Sequence, residues 1–218
     1  MKTGQRWANY LVELFIVIIG ISIAFWLNNL AQISKDRKAE ITYLSAIKND
    51  LKTDSLRLAL NIENNKSKNV ILMTGLEQIK RAAPIDSLLG NVLEIGSYDF
   101  FNPDNFTLKS LIQSGDLKLI ASEDTKRELL RLLKIYESVD SMQDNFLDAL
   151  DGNYFPMLIS KVDLMEFKVI DEAFFYGPEI KNYSAFTLNE TSQHIKNYEY
   201  AQSQVAKVIK LIDKDLVE

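Results

Sequence analysis

Polar positions become rare between residues 8 and 27, ANYLVELFIVIIGISIAFWL, with Glu13 the one charged residue of the run. About 20 apolar residues make a helix of about 30 Å, the thickness of a bilayer hydrocarbon core. Trp7 and Tyr10 lie near one end and Trp26 near the other, where an aromatic belt would sit. Bulky Phe25, Trp26 and Leu27 occupy the place where a cleaved signal peptide needs small residues. The pattern therefore predicts a tail over 1–6 and an uncleaved transmembrane helix over 7–30.

Past this run the apolar positions become periodic. Leu44, Ile47, Leu51, Leu58 and Ile62 recur on one helical face. The linking KDRKAE holds neither Gly nor Pro, so the membrane helix and a juxtamembrane helix over 31–83 are expected to form one rod. The polar ENNKSKN at 63–69 is a candidate break, and Val70, Ile71, Met73, Leu76 and Ile79 carry the helix on until Pro84 stops it. A short helix is expected over 85–95, between Pro84 and Gly96. A loop SYDFFNPD follows, with Asp104 placed to cap a helix over 106–113 that ends at Gly115. Leu117, Leu119 and Ile120 form an apolar plug. Ser122 is then placed to cap a long helix, with Glu123 and Asp124 in its first turn and its end near Gly152. Residues 163–186 are aromatic without a clear period. From Asn189, residues Ile195, Tyr198, Gln202, Val205, Ile209, Ile212 and Leu216 repeat as the seam of a coiled coil. The predicted class is all-α: a bundle of three to four helices with short extra ones over 84–218, packed against 41–83.

Composition narrows the function. With 8 Gly and 4 Pro the chain favours long helices. A formal charge of −5 disfavours nucleic acid as a partner. The lack of cysteine removes disulfides, thiolate metal sites and cysteine nucleophiles, and a single histidine, His194, removes histidine-rich metal sites. No phosphate loop, nucleophile elbow or HExxH is present. Neither an enzyme nor a cofactor is expected.

Three groups of residues remain as candidates. Glu13, Gly20, Ala24 and Asn28 share one face of the membrane helix. Gly20 and Ala24 form a small-xxx-small pair that admits a second helix, and the polar groups can hydrogen-bond across it. The alternatives for Glu13 are snorkelling toward Arg6 or handling of ions or protons. Glu137, Asp140, Asp144, Asp148 and Asp151 lie on one helix, three or four apart and so on one face. A cation needs ligands that converge, so this row reads as a solvated ridge, with Asp140, Asp144 and Asp148 a possible partner surface. The aromatic stretch holding Phe174, Phe175 and Tyr176 either covers one end of the bundle or lines a partner groove. His194 reads as a surface or capping residue.

The opening YLVELFIVIIGISIAFWLNN, the following KDRKAEITYLSAIKNDLKTD and the later TLKSLIQSGDLKLIASEDTKRELLRLLKIYE together resemble a family of uncharacterised bacterial membrane proteins of Bacteroidota type, catalogued as a domain of unknown function. On this resemblance Glu13, Asn28, Asn29, Ser114 and Gly115 occupy recurring positions, while Phe25 and Trp26 depart from the smaller and polar residues expected there. The resemblance implies an inner-membrane anchor with a periplasmic domain. Lysine and arginine lie almost equally on the two sides of the helix and leave its orientation close to a tie. The expected role is a scaffold or interaction subunit that contacts lipid and pairs with other membrane proteins or with itself. A sensor relaying through a partner, or a stator-like subunit that couples ions through Glu13, are the alternatives.

Overall fold

A computed structural model describes residues 3–217, with side chains from Glu13 onward. Lys2, Arg6, Trp7 and Tyr10, expected to flank the membrane segment, lie outside the described side chains. The fold is all-α, with almost no strand.

Helix α1 runs unbroken from Thr3–Lys80, 78 residues, or about 117 Å at 1.5 Å per residue. Near its start it carries one stretch long and apolar enough to cross a membrane, with a mean hydropathy of 2.1 and none of it packed against the rest of the chain. The polar segment 63–69 does not break the helix. Asn65 Nδ2 donates to the Asn61 carbonyl at 2.8 Å, and Asn61, Asn65 and Lys68 turn inward, so that this stretch is a polar strip of the core.

Three further legs then alternate in direction. After a turn through Ala82 and Pro84, α2 (Ile85–Ile95) doubles back along α1, with Asn91 Nδ2 2.6 Å from Gln78 Oε1. An extended segment, 97–105, continues the descent. Asn64 bonds Asp99, Arg57 bonds the Asn102 carbonyl at 3.1 Å, and Asp54 Oδ1 accepts the Asp104 amide at 2.7 Å. Asp104 is thus not the expected cap: Asn105 precedes α3 (Phe106–Gln113), and no side chain caps that helix. Gly115, at φ 77°, closes it in the left-handed region that a glycine adopts without strain. A 3-10 turn (Asp116–Leu119) and the buried Ile120 complete the descending leg.

Helix α4 (Glu123–Ala149) ascends, its first turn capped by Ser122 Oγ, which accepts the Thr125 amide at 3.2 Å. Its α-helical part ends at Ala149, near the expected Gly152, but the chain stays helical there. A π-helical turn (Leu150–Tyr154) passes directly into α5 (Phe155–Lys161). A hairpin pairing β1 (Val162–Asp163) with β2 (Lys168–Val169) and the short α6 (Glu172–Tyr176) cover the far end of the bundle. Helix α7 (Pro178–Val217, 40 residues) descends antiparallel to α1. It begins well before Asn189, with Pro178 preset for a first helical turn. Its early buried positions are Ile180, Ser184, Thr187 and Thr191, and one apolar residue among three polar ones marks no apolar period.

The core has two parts. Near the apolar end, Leu44, Ile47, Leu51 and Leu58 of α1 meet Leu129, Leu132 and Tyr136 of α4 and Tyr198, Val205 and Ile212 of α7. At the far end, Leu72 and Ile79 meet Leu88, Val92, Phe146, Tyr154, Phe175 and Ile180. Each such side chain contributes roughly 1.5–3 kcal/mol by leaving water.

Candidate functional site

Interrupting the descending leg between α2 and α3 exposes backbone groups that a continuous helix would satisfy, and buried side chains take them up. Gln143 of α4 accepts the Phe101 amide at 2.8 Å and returns a bond to the Phe101 carbonyl at 3.1 Å. Tyr198 donates to the same Gln143 oxygen at 2.6 Å. Asp54 accepts from Tyr136 at 2.8 Å as well as from the Asp104 amide, and burial raises its pKa despite these bonds. Lys68 donates to the carbonyls of Ser97 and, at 3.4 Å, of Ile95.

The interruption also opens a cavity of about 210 Å³ between α1, the 97–100 segment, α4 and α7. Its floor is Asn65, Lys68, Phe146, Thr191 and His194, and its rim carries Glu94, Tyr98 and Asp99. Lys68 is 6% exposed and stands 5.4 Å above the Phe146 ring. Burial pulls its pKa down to about 8, against the opposing charge of Glu94. His194 is 2% exposed, which overturns its reading as a surface or capping residue. Phe146 meets its ring edge-on at 5.3 Å, and burial, with Lys68 nearby, pushes its pKa down to about 4. Its Nε2 has no hydrogen-bond partner among the described residues. Sequence reasoning missed this site, although Asn61, Asn65 and Lys68 fall at helical spacing within the stretch expected to break.

The predicted residues fall in three other places. Glu13, Gly20, Ala24 and Asn28 are exposed on α1, with nothing within 4 Å of a Cβ placed on Gly20, so their face is open to a partner. Asp144 and Asp148 are exposed and Asp140 is half-buried, its pKa raised by burial against the pull of Lys109. Among the described residues no group of acids or histidine is arranged to hold a metal. Phe174 and Phe175 are buried in the far core and do not form a partner surface, because α6 turns both rings inward. Tyr176 is half-buried and donates to the Ala83 carbonyl at 2.7 Å, which ties α6 to the end of α1. The exposed apolar groups lie just before them: Leu164, Met165 at 93% exposure, Phe167 and Ile170, all at the hairpin. Phe167 is held at φ 51°, an uncommon conformation for a bulky residue.

At the opposite end, Arg37 bonds Glu40 at 2.7 Å and the Asp215 carbonyl at 2.7 Å, and Glu40 accepts the Ala121 amide at 2.6 Å. Thr125 donates to the Asp215 carboxylate at 2.6 Å. This clasp fastens the start of α4 and the end of α7 to α1 about 15 Å beyond the apolar run, by the helical rise from Leu27 to Arg37.

Comparison with curated proteins and with solved structures returns no match. Residues 13–176, from the apolar helix through α6, match the family model described as Family of unknown function (DUF6090), and the chain belongs to that family.

Proposed function

We propose that the protein is a membrane-anchored interaction subunit of the bacterial envelope, with its N-terminus in the cytoplasm and its bundle in the periplasm. The observation that carries this reading is the unbroken α1. One helix holds an open small-residue face in its apolar stretch and, about 80 Å away by the rise from Leu27 to Lys80, supports a bundle end tipped with Met165 and Phe167. Such a rod suits a tether between a partner in the bilayer and one at a fixed height above it. In lipid no hydrophobic drive brings helices together, so the close approach allowed by Gly20 and Ala24 is the natural means of pairing.

Reporters active in one compartment only, fused after Glu218, test the topology. The periplasmic reporter is expected to be active, and activity of the cytoplasmic one alone would end the proposal. Cysteines introduced singly along 14–28 of the otherwise cysteine-free chain test the pairing. Crosslinks are expected with a helical period centred on Gly20 and Ala24, lost in Gly20→Leu and kept in Glu13→Gln. Loss of function in Glu13→Gln with crosslinks intact would favour ion coupling instead.

A further inference from the structure

We propose that the cavity lined by Lys68, His194, Glu94 and Asp99 binds a free α-amino acid or a closely similar small zwitterion. This site is separate from the anchoring role and does not depend on it.

Size sets the first limit. A cavity of 150 Å³ lodges benzene, so about 210 Å³ has room for roughly eight to ten non-hydrogen atoms. That suits a single amino acid and is too small for a nucleotide or a peptide.

Charge sets the second. An ammonium has three protons to donate. Lys68 commits two of them to the Ile95 and Ser97 carbonyls, and its buried charge rests on carbonyls and an aromatic face instead of a carboxylate. Buried charges are ordinarily paired. His194 beside it keeps an unpartnered Nε2 in the same wall. A ligand carboxylate at the floor would take the third Lys68 proton and a hydrogen from Nε2 in the tautomer that carries it there. Structural demands account for the first two Lys68 bonds but for neither of these.

The rim has the opposite sign. Glu94 accepts from Ser97 Oγ at 2.7 Å and Asp99 from Asn64 at 2.5 Å, which fixes both carboxylates at the mouth. They favour an ammonium on the outward side of the ligand and repel a second carboxylate. Beside these carboxylates, the stacked rings of Tyr98 at the rim and Phe100 below it, 4.8 Å apart, offer an apolar wall for a side chain. A dianion would meet Glu94 and Asp99, and a neutral sugar would leave Lys68 unpaired.

The test uses the full chain in detergent micelles or nanodiscs. Thermal unfolding is followed with each of the common free amino acids, with succinate as dianion and glucose as neutral polyol, and hits are titrated calorimetrically. At least one amino acid is expected to raise the melting temperature and bind one to one, while succinate and glucose do neither. Glu94→Gln, at the half-exposed rim, is expected to weaken that binding about tenfold, the scale of one charge-assisted contact. Lys68→Met is expected to abolish it. Because Lys68 also holds the 95–97 turn, Glu94→Gln decides the matter should Lys68→Met fail to fold. No shift with any amino acid, equal shifts with succinate or glucose, or undiminished binding by Glu94→Gln would each overturn the proposal.

Discussion

A histidine packed edge-on against Phe146, with Lys68 as its charged neighbour, is held neutral by its surroundings. Its pKa is about 4 in the fold and about 6.5 in the unfolded chain. Between those values the unfolded state takes up a proton that the fold refuses, so stability falls as pH is lowered through this window. Below about pH 4 both states are protonated and the loss levels off. The expected cost of going from pH 7 to pH 4.5 is about 2–3 kcal/mol from this one residue. Carboxylates titrate in the same range, so the measurement is a comparison: denaturant unfolding at both pH values, for the wild type and for His194→Gln. The variant should lose that much less stability on acidification, and an equal loss in both proteins would contradict the buried neutral imidazole. None of this was legible beforehand. A lone histidine at the start of an apolar seam gives no sign of depth when the three buried positions just before it are Ser184, Thr187 and Thr191. Phe174 and Phe175 misled in the other sense, since composition shows an aromatic cluster but not which way a five-residue helix turns it.

Elements bounded by backbone chemistry were legible, and elements bounded by packing were not. Pro84 and Gly115 punctuate the chain through properties of their own backbones, and α2 and α3 have the predicted limits. The polar strip 63–69, the passage through Gly152 and the early start of α7 each depend on what lies opposite in space, which a single sequence does not display. The interrupted descending leg is the main such feature, and Gly96 is its tightest point. Its φ of −86° suits any residue, but an added Cβ would stand 2.7 Å from Phe155 Cε1 and 2.9 Å from Tyr154 Cε1. Gly96→Ala is therefore expected to destabilise by about 1–3 kcal/mol through overpacking. Gly90→Ala, in the middle of α2 with nothing within 4 Å, should be neutral or stabilising by up to about 1 kcal/mol. Thermal melts of the two variants check the contrast, and equal effects would show that the rings simply move aside.

At the scale of the whole molecule, the apolar stretch, long enough to cross a membrane, and the bundle share one helix, and the first fastening of the bundle to it is at Arg37. Residues 30–34 are exposed helix lying between the two. A helix transmits angle as well as distance, about 100° and 1.5 Å for every residue. One alanine inserted after Ile33 would turn the hairpin end about 100° around the rod while lifting it only about 1.5 Å. Seven would lift it about 10 Å yet return it to within about 20° of its starting azimuth. If the two ends serve partners that are themselves fixed in the envelope, activity in cells should fail with one or two inserted residues and recover with seven, as read by a growth phenotype with protein levels held equal. A monotonic decline with length would mean that only reach matters. The unbroken helix thus makes the protein a shaft with a compass bearing, in which the direction faced by the apolar stretch fixes the direction faced by the distant hairpin end.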